Sequence, residues 1–236
     1  MYAHDYPAYA ILLIGIIASI AARKLTVAGA LCGGLVGFLI YKGAGYPGLA
    51  MLMTFFVLGN AATLWQRDLK QELGVAEKNK GKRTAGQVLA NGGVAAALGL
   101  IAWLWHQELP LLYLLIAAAF ASATADTLSS ELGTVYGRRF YHVLTLQEGP
   151  RGMDGIVSTE GTIIGAIGAT LIALIFGASY GWNLNMLWII FAANAGNFAD
   201  SALGATLERR KVINNDTVNF LNTLVAALVA YMISSF

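Results

Sequence analysis

Two aspartates, Asp126 and Asp200, stand inside long apolar stretches of this chain, each in the same short phrase, Ala125-Asp126-Thr127 and Ala199-Asp200-Ser201. Placing a carboxylate in a membrane-spanning helix costs a few kcal/mol, so each one needs a partner or a task. Each lies sixteen residues beyond the start of its stretch. At 1.5 Å per residue that is about 24 Å, which sets both near one membrane boundary. Two carboxylates at one depth repel unless a cation or a proton neutralises them. Their hard oxygens suit Mg²⁺ bridging to phosphate oxygens. The chemistry this pattern suggests is the handling of a phosphorylated ligand at the membrane edge.

Further polar groups follow the same geometry. Ser122, Asp126, Ser129 or Ser130, and Gly133 make one stripe at helical spacing, with Glu131 about 140° round the helix. Asn197, Asp200, Gly204 and Glu208 make a second stripe, with Ser201 beside it. The starts of the two following apolar stretches add Asp154, Ser158 and Glu160, then Asn215, Asp216, Asn219 and Asn222. Lys82, Arg83, Arg138, Arg139 and Arg151, in adjoining loops, are candidates to hold phosphates. The glycines of Gly149-Pro150-Arg151-Gly152-Met153-Asp154-Gly155 leave backbone amides open before a helix, a place for an anion. The plain alternative is that the aspartates are protonated or bonded to Ser and Asn, and that the loop cations only set the topology. Gly81-Lys82-Arg83-Thr84 looks like the end of a P-loop, but Ala76 stands where the upstream glycine belongs and no buried strand precedes it. His4, His106 and His142 form no metal or triad spacing, and the single cysteine, Cys32, excludes an intramolecular disulfide.

The elements that must carry these groups are membrane helices. Of 236 residues 57% are hydrophobic and 12% charged, with mean hydropathy +0.63. Soluble domains carry about 25% charged residues. A net charge of +2 gives no reason to expect nucleic acid as a partner, and the composition is not that of a disordered tail. Apolar runs predict about eight transmembrane helices, at 7–22, 25–41, 47–66, 86–105, 110–135, 156–178, 184–206 and 217–234. They form one transmembrane domain over 1–236, an all-α polytopic fold with cytoplasmic loops near 67–85, 136–156 and 207–216. The fifth run exceeds membrane thickness and either continues into the cytosol or breaks near Gly133. Fourteen of the 15 Lys and Arg fall in alternate loops, and only Lys42 lies on the other side. The positive-inside rule then places those loops in the cytoplasm and both termini outside. Basic residues follow the first run, at Arg23 and Lys24, instead of preceding it, which argues against a cleaved signal peptide. Trp103, Trp105, Trp182 and Trp188 at helix ends read as interfacial anchors.

Overlaying the even-numbered stretches aligns Asn91, Glu160 and Asn222. Gly86, Gly155 and Thr217 stand five residues before them. With Asn60-Ala61-Ala62-Thr63 as a weaker echo of the two aspartate phrases, this predicts a fold built from repeated helix pairs with a site at their shared centre. Close packing of small residues is the simpler explanation for the Gly and Ala positions.

Three stretches carry a resemblance: Ala125-Asp126-Thr127-Leu128-Ser129-Ser130-Glu131-Leu132-Gly133; the run from Gly152 to Thr162; and Gly196-Asn197 through Asp200-Ser201 to Thr206, followed by Asn214-Asn215-Asp216-Thr217-Val218-Asn219. Together the chain resembles the integral membrane family that includes plant phytyl-phosphate kinase and animal transmembrane protein 19. The likeness runs from about Lys24 to Phe236. In the Gly-x-Asp/Glu-Gly segment Met153 stands where Thr is expected, so a hydroxyl role there is not carried over. The resemblance implies a membrane kinase that converts an isoprenoid monophosphate to the diphosphate, with CTP as donor and Mg²⁺ as cofactor. It implies that Asp126, Glu131 and Asp200 hold the metal and the nucleotide phosphates. Asn197, Asn215 and Asp216 support them, with Glu160 a further metal candidate. Lys82, Arg83, Asn91, Ser130, Arg138, Arg151, Gly152, Asp154, Ser158, Ser201, Asn219 and Asn222 complete the expected binding set. A lipid-phosphate acceptor accounts for a site at the membrane boundary, since its tail stays among membrane lipids while its head meets a soluble nucleotide. Two other activities use the same residues differently. A CTP-dependent cytidylyltransferase would release pyrophosphate, and a transporter using intramembrane acids would need Asp126 and Asp200 near midplane.

Overall fold

A computed structural model describes residues 5–75 and 81–234 and is mostly helical. In order, the elements are α1 (Tyr6–Ala21), α2 (Val27–Leu64), α3 (Arg67–Glu72), α4 (Ala85–Trp105) and α5 (Leu109–Tyr136). A two-residue ribbon follows, β1 (Tyr141–His142) and β2 (Ile156–Val157). It leads into α6 (Thr159–Tyr180), α7 (Asn185–Leu203) with a π-helical turn at Gly204–Glu208, and α8 (Asn215–Ser234). Five helices, α2, α4, α5, α6 and α8, are long and apolar enough to cross a membrane; α1 is a shorter apolar helix.

The predicted spans 25–41 and 47–66 are joined in α2, but Gly45 (φ 63°, ψ −153°) and Pro47 break its course. The chain reverses there. Gly37 packs against Leu49 and Leu52. Both ends of α2 return to Arg83, through Thr26 N donating to Arg83 O (3.0 Å) and Gly59 lying under the Arg83 guanidinium. A straight 38-residue helix would separate those ends by about 57 Å. Pro47 removes a helical donor and Gly45 adopts a left-handed φ, so reversal at this point follows from the local sequence.

α5 is the centre of the bundle, packed on α2, α4, α6, α7 and α8. Its middle, Ala117–Ala121, is wholly buried. Close crossings place backbone against backbone: a Cβ on Gly161 would stand 2.8 Å from Ser129 O, and one on Gly99 would stand 2.8 Å from Leu39 O. These crossings explain why small residues recur on the even-numbered helices. The predicted start of the sixth helix at 156 shifts to Thr159, because Ile156 and Val157 pair with Tyr141 and His142, and Ser158 caps the helix through Gly161 N (3.1 Å).

Lys42, the basic residue outside the common pattern, is neutralised at the opposite end of the bundle. Its Nζ sits 3.2 Å from Asp5 Oδ2 and over the Trp103 ring. The Tyr41 hydroxyl, donating to Asp5 (3.0 Å), holds the Asp5 carboxyl below its usual range.

Candidate functional site

A cavity of about 380 Å³ opens at one end of the bundle, where the end of α2, the starts of α4, α6 and α8, and the late turns of α5 and α7 converge. Its wall carries Asp126, Ser130 and Glu131 from α5, and Asn197, Asp200 and Ser201 from α7. The loops and neighbouring helix starts bring Arg83, Asn91, Gly152, Asp154, Ser158, Asn215 and Asn219. Thirteen of the expected residues therefore meet in one chamber, drawn from segments far apart in the chain.

The two aspartates face each other from α5 and α7, near enough for each carboxyl to act on the other. Two carboxyls this close, in a recess between helices, need a neutralising proton or cation. Asp200 Oδ1 is buried without a hydrogen-bond partner among the described residues. Such an orphaned acceptor is rare in a folded chain and is the kind of atom a bound cation satisfies. Ser129 Oγ donates to Asn197 Oδ1 (3.2 Å), tying α5 to α7 beside the pair. Below the chamber, the Ser122 hydroxyl donates to Asn222 Oδ1 and links α5 to α8. Asn222 is thus a buried support and not a wall residue.

Arg83 is fixed from several directions. Its backbone pairs with the α1–α2 connection, N donating to Lys24 O (2.9 Å) and O accepting from Thr26 N. Its guanidinium lies over the Phe55 ring. That charge acts on Asp126 across the chamber. Lys82, its neighbour, is not on the wall. The capping box of Thr84 and Gln87, whose side chains bond each other's backbone amides (3.4 and 2.9 Å), starts α4 immediately after Arg83 and holds it in place.

Four other expected residues are engaged elsewhere. Arg151 donates to the Thr134 and Val135 carbonyls and stacks on Phe140, so it closes the C-terminus of α5, whose last carbonyls lack helical partners. Arg138 is exposed, and its amide N donates to Glu160 Oε2 (3.4 Å), which turns Glu160 away from the aspartates. Asp216 sits against Gly86 at the start of α4. A carboxylate there complements the helix dipole. Glu131 reaches the wall, but its Oε2 is 2.6 Å from Lys70 Nζ, a cation on α3 that is itself buried and also donates to Ala62 O (2.7 Å). Sequence reasoning did not single out Lys70, because nothing in a loop lysine marks it for burial. Lys78 and Lys80, in the same loop, lie outside the described residues.

Glu208, on the π-helical turn, also lines the chamber. Burial and the nearby Asp154 and Asp200 carboxylates push its carboxyl up to about 7. Its place in the stripe from Asn197 was visible in the sequence; the extra residue per π-turn that brings it inward was not. Gly155 (φ 72°) lets the ribbon pass directly over Ala205, where a Cβ would stand 2.5 Å from Ala205 Cα.

The donor set suits Mg²⁺. Among the described residues no three His, Cys, Asp or Glu gather as a closed metal cage. Mg²⁺ does not need one: it binds through one or two carboxylates, water and substrate phosphates. A carboxyl pair with one unsatisfied buried oxygen, in a chamber with a fixed guanidinium, is such an open arrangement.

No solved structure matches the chain. It is 32% identical to the chloroplastic protein VTE6 of Arabidopsis thaliana, over 95% of this chain and 70% of VTE6. It is 33% identical to the uncharacterized membrane protein sll0875 of Synechocystis sp., over 91% of this chain and 84% of that one. It is 30% identical to the uncharacterized membrane protein MJ0933 of Methanocaldococcus jannaschii, over 90% and 87%. Residues 10–227, from within α1 to the middle of α8, match one family along their whole length, and the chain belongs to it: integral membrane protein DUF92.

Proposed function

We propose that the chain is a membrane kinase that transfers a phosphoryl group from a nucleoside triphosphate, CTP, to an isoprenoid monophosphate, giving the diphosphate. The observation that carries this reading is the pairing of Asp126 with Asp200 in a chamber that also holds Arg83. The 32% identity to VTE6, the relative that fits the phytyl-phosphate kinase the motifs resemble, supports the acceptor class. In the same reading the chain is one membrane domain of about eight spans, the fold of α2 supplying two of them. Both termini are outside, and the chamber faces the cytoplasm.

The attacking group is an oxygen of the acceptor's own phosphate. It is already anionic, so no side chain need remove a proton from it. The protein's part is to bring two anions together and hold them in line. Asp126 and Asp200 would hold Mg²⁺, with Asn197 and Asn215 as neutral oxygen and amide partners around it. The bound ion supplies charge neutralisation on the transferring phosphate. Arg83 binds a phosphate from the opposite wall, where its guanidinium offers paired donors. Ser130, Ser158, Ser201, Asn91 and Asn219 offer hydrogen bonds to sugar or phosphate oxygens, and Gly152 leaves its backbone open beside Asp154. Glu131, paired with Lys70, fixes the wall of the site.

Purified protein in lipid nanodiscs with Mg²⁺, each of four nucleoside triphosphates, and phytyl or geranylgeranyl monophosphate tests this by product mass. Prenyl diphosphate with release of the nucleoside diphosphate is expected, most from CTP. A CDP-lipid with pyrophosphate would mean a cytidylyltransferase, and no product from any combination would overturn the reading.

A further inference from the structure

Beside the chamber runs an apolar groove of about 100 Å³ between α1, both arms of α2 and the start of α4. Arg83 and Gln87 belong to the walls of both spaces. Apart from these two, the polar side chain on the groove wall is Ser19, whose hydroxyl donates to Ile16 O (2.9 Å). The groove is therefore hydrocarbon-like along its length and cationic at the end where it meets the chamber. That is the shape and charge pattern of an amphiphile with an apolar chain and an anionic head.

Glycines set its depth. On α2, Gly34 and Gly37 are covered by Ile16 and Leu12 of α1, which sit where side chains would project. Gly15 has no neighbour within 4 Å of a Cβ, and Gly33 has only Leu25 Cδ1, at 3.9 Å. These two positions leave the space open. α1 packs mainly on α2, so the groove lies at the flank of the bundle and not in its core. From Ile11 to Ser19 it extends about 12 Å along α1.

We infer that this groove seats the first part of the isoprenoid chain of the acceptor, with its phosphate at Arg83 and the remainder of the chain in the bilayer. The inference rests on the kinase reading for the identity of the acceptor. It adds the route: the lipid enters sideways past α1, while the nucleotide reaches the carboxyl pair from the open end of the chamber. Arg83 can serve both spaces because its backbone is bonded to the α1–α2 connection, which fixes the groove end and the chamber wall as one unit.

The test is photolabelling of the full chain in nanodiscs with geranylgeranyl monophosphate carrying a diazirine in its second isoprene unit, mapped by peptide mass spectrometry. Label on residues 11–19 or 49–56, displaced by unlabelled geranylgeranyl monophosphate and not by excess phosphatidylglycerol, is expected. Gly15→Leu with Gly33→Leu should lower that labelling at least about tenfold. Both positions accept a Cβ without backbone strain, and the map from the unaltered protein decides the matter even if the double variant does not fold. Label concentrated on α6–α8, or scattered over lipid-facing surfaces, overturns the groove. Product mass measured in parallel separates the two ideas. Diphosphate formation with label elsewhere rejects the groove alone. Groove labelling without any diphosphate rejects the kinase alone.

Discussion

Replacing Lys70 with Met separates a structural part for Glu131 from a metal-binding one. Lys70 Nζ makes two contacts in a setting where its side chain is 2% exposed: Glu131 Oε2 at 2.6 Å and Ala62 O at 2.7 Å. Met fills nearly the same volume and makes neither. Removing one member of a buried pair costs about 3–5 kcal/mol, and losing a donor to a buried carbonyl adds about 1 kcal/mol. The Glu131 side chain keeps 16% of its exposure on the chamber wall, so water reaches part of the stranded carboxylate. That relief brings the expected loss to about 3 kcal/mol, or about 6–12 °C in Tm for a chain of this size. The double variant Lys70→Met, Glu131→Leu removes the stranded charge and should recover most of the loss. The assay is a thermal melt in one detergent, followed by phosphoryl-transfer rate at a temperature where every variant is folded. If Glu131 serves Lys70, the double variant keeps activity within about tenfold. A K70M melt within about 1 °C of the parent would refute the energetic reasoning. A stable but inactive double variant would return Glu131 to the metal site.

Asp126→Asn and Asp200→Asn should each lower kcat at least about 100-fold, ~2.7 kcal/mol of transition-state stabilisation. Each should also raise Tm in EDTA, because a like-charge pair disappears; a lower Tm would count against a strained pair. Glu208 predicts a pH signature: its carboxyl, raised to about 7 in the folded protein from 4.5, holds its proton more tightly when folded. The stabilisation it gives is complete below about pH 4.5 and is lost as pH rises through 7. Glu208→Gln should therefore gain Tm over the parent progressively from pH 5 to pH 8 in EDTA, and a constant difference would contradict this. Arg83→Ala should reduce kcat/KM for the lipid phosphate about 10–100-fold, while Lys82→Ala, off the chamber wall, should change it less than about twofold.

The helices were legible because they write themselves as uninterrupted apolar runs, five of them long and apolar enough to cross a membrane, and the aspartates because an acid inside such a run has few innocent explanations. Matched depth on α5 and α7 even anticipated the pairing of Asp126 with Asp200. Loop cations were harder. A count by loop treats Arg83, Arg138 and Arg151 alike, yet Arg83 is bonded into the α1–α2 connection, Arg151 closes the end of α5, and Arg138 points outward. Those fates depend on where loops fold, which helical periodicity does not encode. The alignment of Glu160 with Asn91 and Asn222 set three residues in one frame, but Asn91 and Asn222 lie beyond the first turns of α4 and α8, whereas Glu160 lies on the first turn of α6 and accepts from the Arg138 amide. Lys70 was hidden for the opposite reason: a short helix carries it into the bundle, against the habit of lysines to stay in water.

The chamber draws its walls from Thr63 through to Asn219, and Ser122 waits for Asn222, exactly one hundred positions downstream, to complete their bond. Without α8 both acids would stand in an unfinished pit, with neither the amides of that helix nor Asn222 beside them. The two acids thus depend on a helix that neither of them belongs to, and the chamber forms as one unit or not at all.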